Sequence, residues 1–231
     1  MGLILDGVLQ AFRLLLAGDP EVWRITLLSL QISATATLLA LAVGIPAGTL
    51  LALARFPGRA LVISLVNTGM GLPPVVVGLF VTILLWRNGL LGALELLYTP
   101  SAMVLAQLVI AAPIVTGLTL AAVQQIPERF RLQLLALGAS RVQMTWVLIK
   151  EARLPMLAAL MAGFGGVVSE VGASMMVGGN IKGSTRVLTT ATVLETGKGN
   201  FDVAIALSVI LLVITFLVNW ALTWIQQRRR A

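Results

Sequence analysis

The sequence predicts an all-α membrane protein with about five transmembrane helices, and three observations carry that prediction. Apolar residues make up 58% of the 231-residue chain and charged residues only 11%. A soluble domain carries about 25% charged residues to cover its surface. Four runs contain no charged residue, at 25–54, 60–86, 101–123 and 203–225, and a fifth, at 156–177, holds one acid. Each is long enough to cross about 30 Å of hydrocarbon. No polar block longer than about 30 residues separates the runs, so residues 1–231 read as a single transmembrane domain.

Several classes drop out on composition. Cysteine and histidine are absent, which removes disulfides, thiol chemistry and the usual zinc or haem ligation. No nucleophile–base set, metal cluster or phosphate loop is present, so the chain reads as a non-enzyme. The net charge of +7 comes without basic patches interleaved with aromatics, and nucleic acid is not an expected partner. Membrane lipid is.

Taken in order, residues 1–19 are apolar but broken by Asp6, Arg13 and Asp19. They read as an interfacial helix lying along the membrane surface, or as a short extra span. No basic region precedes their apolar residues, which makes a poor cleavable signal. The run 25–54 exceeds the roughly 20 residues that a span needs, with Pro46 as the expected kink. Arg55, Pro57, Gly58 and Arg59 form a basic turn. The run 60–86 carries Gly69, Gly71, Pro73 and Pro74 mid-span, where a regular helix does not choose them. Broken backbone at membrane depth is tolerated against protein or a water-filled cavity, so this is either a translocation pathway or a packed proline kink.

Residues 87–100 read as a loop, and 101–123 as a third span with Pro113 inside it. The long polar interval 124–155 has apolar residues at helical spacing (Leu134, Leu135, Leu137, Val142 and Trp146) and predicts two short amphipathic helices meeting near Gly138. Such an elbow fits a groove on another protein, or lies on the inner leaflet through Arg129, Arg131 and Arg141.

Residues 156–177 form the fourth span, in which every fourth residue from Ala158 (Ala162, Gly166, Glu170, Ser174, Gly178) would share one small-residue face. Glu170 is costly at that depth, and either serves a site or caps and cross-links packed helices. Residues 178–202 read as a polar loop with Lys182 and Arg186, which steer an anion, dock a partner or are simply solvated. Residues 203–225 form the fifth span, followed by Arg228, Arg229 and Arg230. With the C-terminus inside, ten basic residues face the cytoplasm and six face out, which orients the N-terminus out and places the elbow in the cytoplasm.

The stretch from Leu134 through Leu137-Gly138-Ala139-Ser140 to Pro155 resembles the coupling loop of permeases of binding-protein-dependent ABC importers. The glycine matches that family's pattern. The acid that opens the pattern is missing at Leu132, Leu148 stands for an isoleucine, and Pro155 comes four residues late. Ser169-Glu170-Val171-Gly172-Ala173, running on to Gly178-Gly179-Asn180, resembles the molybdate and tungstate permeases, most of all the tungstate ones. Gly71 to Gly78, with its Pro73-Pro74 pair, is similar to a second stretch of the same group.

The resemblance implies a type I ABC-importer permease fold in a prokaryotic inner (cytoplasmic) membrane. It implies a homodimer working with two ATP-binding ABC subunits and an extracytoplasmic tungstate- or molybdate-binding protein. ATP and Mg would sit on the partner ATPase, and no cofactor on this chain. Leu137, Gly138, Ala139 and Ser140 would form the coupling loop. Pro73, Pro74, Ser169, Glu170, Gly172, Ser174, Gly178, Gly179 and Asn180 would line the gate and pathway. A doubly charged oxyanion calls for a wet path lined by hydroxyls, backbone N–H groups and helix N-termini rather than by tight cationic sites. Ser64, Asn67, Thr68 and Thr82 fit such a lining, and the spans contain no Lys or Arg. Glu170 would repel the anion, so it is expected to be paired with Lys182, Arg186 or a helix end. The alternatives are an ion-coupled secondary carrier using Glu170 and a membrane scaffold without transport.

Overall fold

A computed structural model describes residues 7–13 and 17–228, and the regular structure among them is helical throughout. Helix α1 spans Pro20–Leu53. Its start is fixed locally: Asp19 Oδ1 accepts from the backbone N–H groups of Glu21 and Val22, both at 3.0 Å, and Pro20 stands where the N–H would be spare. At 1.5 Å per residue its 34 residues reach about 50 Å, well beyond the hydrocarbon thickness. Pro46 sits inside it without ending it.

Helix α4 spans Pro100–Gln124, is capped by Thr99 and contains Pro113. It lies directly against α1. A Cβ on Gly44 would stand 2.7 Å from the Val115 side chain, and one on Gly48 would stand 2.5 Å from Thr116 O. In lipid, apolar burial brings no gain over lipid contact, and close backbone approach at small residues supplies the packing energy instead. This pair forms the centre of the bundle. The main core gathers around it, with Ile32, Ala40, Met103, Ala106, Ala111 and Val115 fully buried.

Two spans are broken. Helix α2 (Arg59–Met70) and α3 (Pro74–Leu85) meet at 103° across Gly71, Leu72 and Pro73. Pro73 forces Leu72 out of the helical region, and Pro74 restarts the helix where its missing N–H costs nothing. Helices α5 (Glu128–Ala136) and α6 (Arg141–Glu151) make the elbow, joined by Gly138 at φ +84°. Helix α7 (Arg153–Val168) and α8 (Gly172–Gly178) then meet at 59° across 169–171. Helix α9 (Leu188–Gly197) precedes α10 (Phe201–Arg228). Helices α1, α4 and α10 are long and apolar enough to cross a membrane, and with each bent pair counted as one span the total reaches five.

Residues 7–13 are helical. Ala11 is buried with Ala206, Leu207 and Ile210, and Gly7 abuts Ile205, so this segment packs on the start of α10. The remainder of the expected N-terminal element, residues 1–6 and 14–16, lies outside the described residues, as do Arg229 and Arg230.

Three expectations are corrected. The fourth span is not one helix, so the fourfold series from Ala158 to Gly178 does not run along a single face; it is interrupted at 169–171. Residues 178–202 are not all loop, because α9 occupies ten of them. Threonine is a modest helix former because its hydroxyl competes for backbone groups. Here the competition is resolved within the helix: Thr192 and Thr196 bond to carbonyls four residues back, and Thr190 Oγ1 accepts from Val187 N at the cap. Lys182 and Arg186 do not pair with Glu170. Both reach Glu21 at the start of α1, at 2.7 and 3.4 Å.

Candidate functional site

The two breaks stand side by side. Helices α3 and α8, the second halves of the two bent spans, pack backbone to backbone: a Cβ on Gly78 would lie 2.6 Å from Ala173 Cα, and one on Gly172 would lie 2.6 Å from Val75 Cγ2. Val75 follows Pro74 directly, so the Pro73–Pro74 corner and the Glu170 corner, nearly a hundred residues apart in sequence, form one locus.

Glu170 lies at the second corner and is 5% exposed. Its carboxylate caps α8. Oε1 accepts from Ala173 N at 2.6 Å, while Oε2 accepts from Ser174 N at 3.0 Å and Ser174 Oγ at 2.9 Å. The expectation that Glu170 meets a helix end therefore holds. The helix is the one that it starts, and the cap lets the chain turn by 59° without stranding backbone donors at membrane depth. Ser174 is buried at 1%, and beyond it Gln107 of α4 points Nε2 toward Ser174 Oγ at 3.5 Å. Gln107 Oε1 is buried without a partner. Sequence reasoning missed Gln107, although it is the one amide in the run 101–123. It also missed Gly78 as a contact point.

The other expected pathway residues divide by position. Pro73, Pro74 and Ser169 are exposed around the corner, and Ser169 Oγ donates back to Gly165 O at 2.8 Å. Ser64, Asn67 and Thr68 are also exposed, on α2, a helix with no buried residue. Thr82 Oγ1 is buried without a partner. Gly178, Gly179 and Asn180 sit at the far end of α8 and belong to a different structure. Gly178 O accepts from Thr185 Oγ1, Gly179 and Asn180 take positive φ (69° and 50°), and Asn180 Nδ2 donates to Thr190 O at 3.3 Å. They form the foot of a stiff loop, which is tied to α1 by Lys182–Glu21, Arg186–Glu21 and an Arg24 bond to Gly183 O. Past α9, Asn200 and Lys198 donate to Glu195 and hold its carboxyl below the usual range.

In the elbow, Leu137-Gly138-Ala139-Ser140 is a helix stop joined to a helix start. Ala139 N donates to Leu134 O and Gly138 N to Leu135 O, each at 3.0 Å, with Gly138 in the left-handed conformation. Ser140 then caps α6 in a reciprocal box with Gln143. The apolar side chains around this turn are uncovered: Leu137 is 84% and Val142 80% exposed. No atom lies within 4 Å of a Cβ built on Gly138, so a side chain there is limited by backbone alone. Gly138→Val is expected to destabilise the turn by about 1–2 kcal/mol, while Gly138→Asn loses a fraction of that. The helical signal and melting temperature of the purified variants read this difference. Equal effects from Val and Asn would disprove the left-handed requirement.

The family profile described as "Binding-protein-dependent transport system inner membrane component" matches residues 44–231. A probable anion ABC transporter permease protein of Haloferax volcanii is 42% identical over 84% of this chain and 86% of its own. The tungstate uptake system permease protein TupB of Peptoclostridium acidaminophilum is 38% identical over 98% of this chain and 100% of its own. Among solved structures, an inward-facing form of the MetNI methionine ABC transporter superposes with a TM-score of 0.75 at 21% identity, covering 91% of this chain and 98% of that one.

Proposed function

Because the chain belongs to the family of binding-protein-dependent transport system inner membrane components, we propose that it is the membrane-spanning subunit of an ATP-driven importer of tetrahedral oxyanions, with tungstate as cargo. It is a multi-pass cell-membrane permease and a transport subunit rather than an enzyme. The observation that carries the cargo assignment is the likeness to a tungstate uptake permease, which extends along the whole of both chains.

The partners follow from what the single chain leaves uncovered. Helix α2 buries no residue and presents Leu61 and Leu65 with Ser64, Asn67 and Thr68, which suits burial against a second copy around a wet path. The apolar elbow around Gly138 suits a groove on an ATP-binding subunit, where ATP and Mg would reside. The ten-to-six bias of basic residues supports placing that elbow in the cytoplasm. A binding protein would deliver the anion to the opposite face.

Within this reading Glu170 is a positioning residue. Both of its carboxylate oxygens already accept hydrogen bonds, and it forms no ion pair among the described residues, which disfavours a secondary carrier that loads ions on Glu170.

The test is uptake into proteoliposomes that hold the chain with a candidate ATPase subunit and are supplied with binding protein. Tungstate entry should require ATP and survive collapse of ion gradients by ionophores. Entry without ATP, or entry abolished by ionophores, would overturn the reading. A preference for molybdate would change the cargo and leave the importer standing.

A further inference from the structure

Where α1 and α4 end and α2 begins, the fold leaves a cavity of about 570 Å³, with Arg55, Arg59 and Arg131 on its walls and Glu128 as its one carboxylate among the described residues. The three cations converge for structural reasons. Arg59 Nε donates to Leu51 O at 2.7 Å, at the C-terminal end of α1. Arg131 donates through one terminal nitrogen to Val123 O at 2.8 Å, at the C-terminal end of α4. Each guanidinium is thereby pinned beside the carbonyl end of a span, and each has further N–H groups beyond the one engaged. Arg55 is held by nothing comparable. Its side chain is 93% exposed, and its ion pair with Glu128 is long, at 3.7 Å, with Glu128 itself 74% exposed.

Two helix N-termini open beside the cavity without side-chain caps. Helix α2 follows Gly58 and α5 follows Pro127, and neither cap residue supplies an acceptor. Three fixed or nearby guanidiniums, one acid and two uncapped helix starts make a concave, net-positive surface at the ends of two candidate spans. Guanidinium forks match tetrahedral oxyanions in geometry as well as charge.

We propose that this cavity is an oxyanion site at the membrane boundary, holding the phosphate of an anionic phospholipid headgroup or a free oxyanion of the same shape. Occupancy would brace α5, the first arm of the elbow, against the ends of α1 and α4. The inference stands apart from the transport reading, because it concerns binding by the chain itself and needs neither ATP nor cargo.

The experiment uses the full-length chain and two substitutions with opposite expected signs. Arg59 and Arg131 are left intact because they satisfy backbone carbonyls. Arg55→Gln removes an exposed cation, and Glu128→Gln removes the competing acid. Native mass spectrometry measures retention of phosphatidylglycerol against phosphatidylcholine with identical acyl chains. Calorimetry in phosphatidylcholine nanodiscs measures binding of inorganic phosphate and of tungstate.

For a headgroup site, the preference for phosphatidylglycerol should fall about two- to fivefold in Arg55→Gln and rise by a similar factor in Glu128→Gln. For a free-oxyanion site, the same order of variants appears in the calorimetry. Equal retention of the two lipids together with no heat from phosphate or tungstate would overturn the proposal. So would two substitutions that shift binding in the same direction, since that pattern reports altered folding.

Discussion

Glu170→Ala should leave a protein that inserts in the membrane but has lost the second corner. The substitution deletes all three bonds accepted by the carboxylate and strands the N–H groups of Ala173 and Ser174 among apolar neighbours. A lost cap costs about 0.5–2 kcal/mol and a buried donor without a partner about 1–3 kcal/mol. A total of about 2–4 kcal/mol is the expected destabilisation, with uptake reduced by at least about tenfold. Glu170→Gln retains one acceptor oxygen but turns an NH₂ group toward N–H donors, so it should fall between wild type and Ala. Melting temperature in detergent together with uptake in proteoliposomes reads both. An alanine variant that melts and transports like wild type would sink the capping role. A glutamine variant equal to wild type would show that the charge is dispensable and geometry alone matters.

Gly78→Val should be as damaging for a different reason. The added Cβ meets the backbone of Ala173 at 2.6 Å, and Ala173 Cβ and Met176 Sδ stand at 3.2 Å. Backbone cannot step aside as the tip of a flexible side chain can, so α3 and α8 must separate. Overpacking of this kind costs about 1–3 kcal/mol before any loss at the neighbouring corner. Gly78→Ala should show a smaller loss of the same kind. Gly165→Ala is the control: its Cβ would meet nothing within 4 Å, and alanine is the better helix former by about 1 kcal/mol. If Gly78→Val keeps its folded yield and its uptake, the two half-helices do not need to touch.

The parts of the fold that were legible in the sequence are those written in short-range chemistry. Uncharged runs mark the spans because the hydrocarbon excludes charge, and Pro73–Pro74 marks a break because proline cannot sit inside a helix without loss. Gly138 followed by Ser140 marks a stop and a start because each residue has a distinct backbone role.

The second corner carries no such mark. Ser169, Glu170 and Val171 contain neither proline nor glycine, and an every-fourth-residue reading carries straight through them. The bend arises because the Glu170 side chain supplies acceptors that the preceding backbone would otherwise give, which depends on its rotamer rather than its spacing. Helix α9 was hidden by its threonines, whose preference against helix is offset by bonds within the helix itself. The partners of Lys182 and Arg186 were out of reach in another way: Glu21 lies 165 positions before Arg186, and no local pattern encodes that encounter.

The glycine contact between α3 and α8 joins the second halves of the two broken spans into one packed unit. Two pieces this close leave no room for a side chain between them, so the pair is packed as a single wedge between two bends of chain. A change at either bend is therefore expected to be felt at the other, whether it arrives through α2 or through α7.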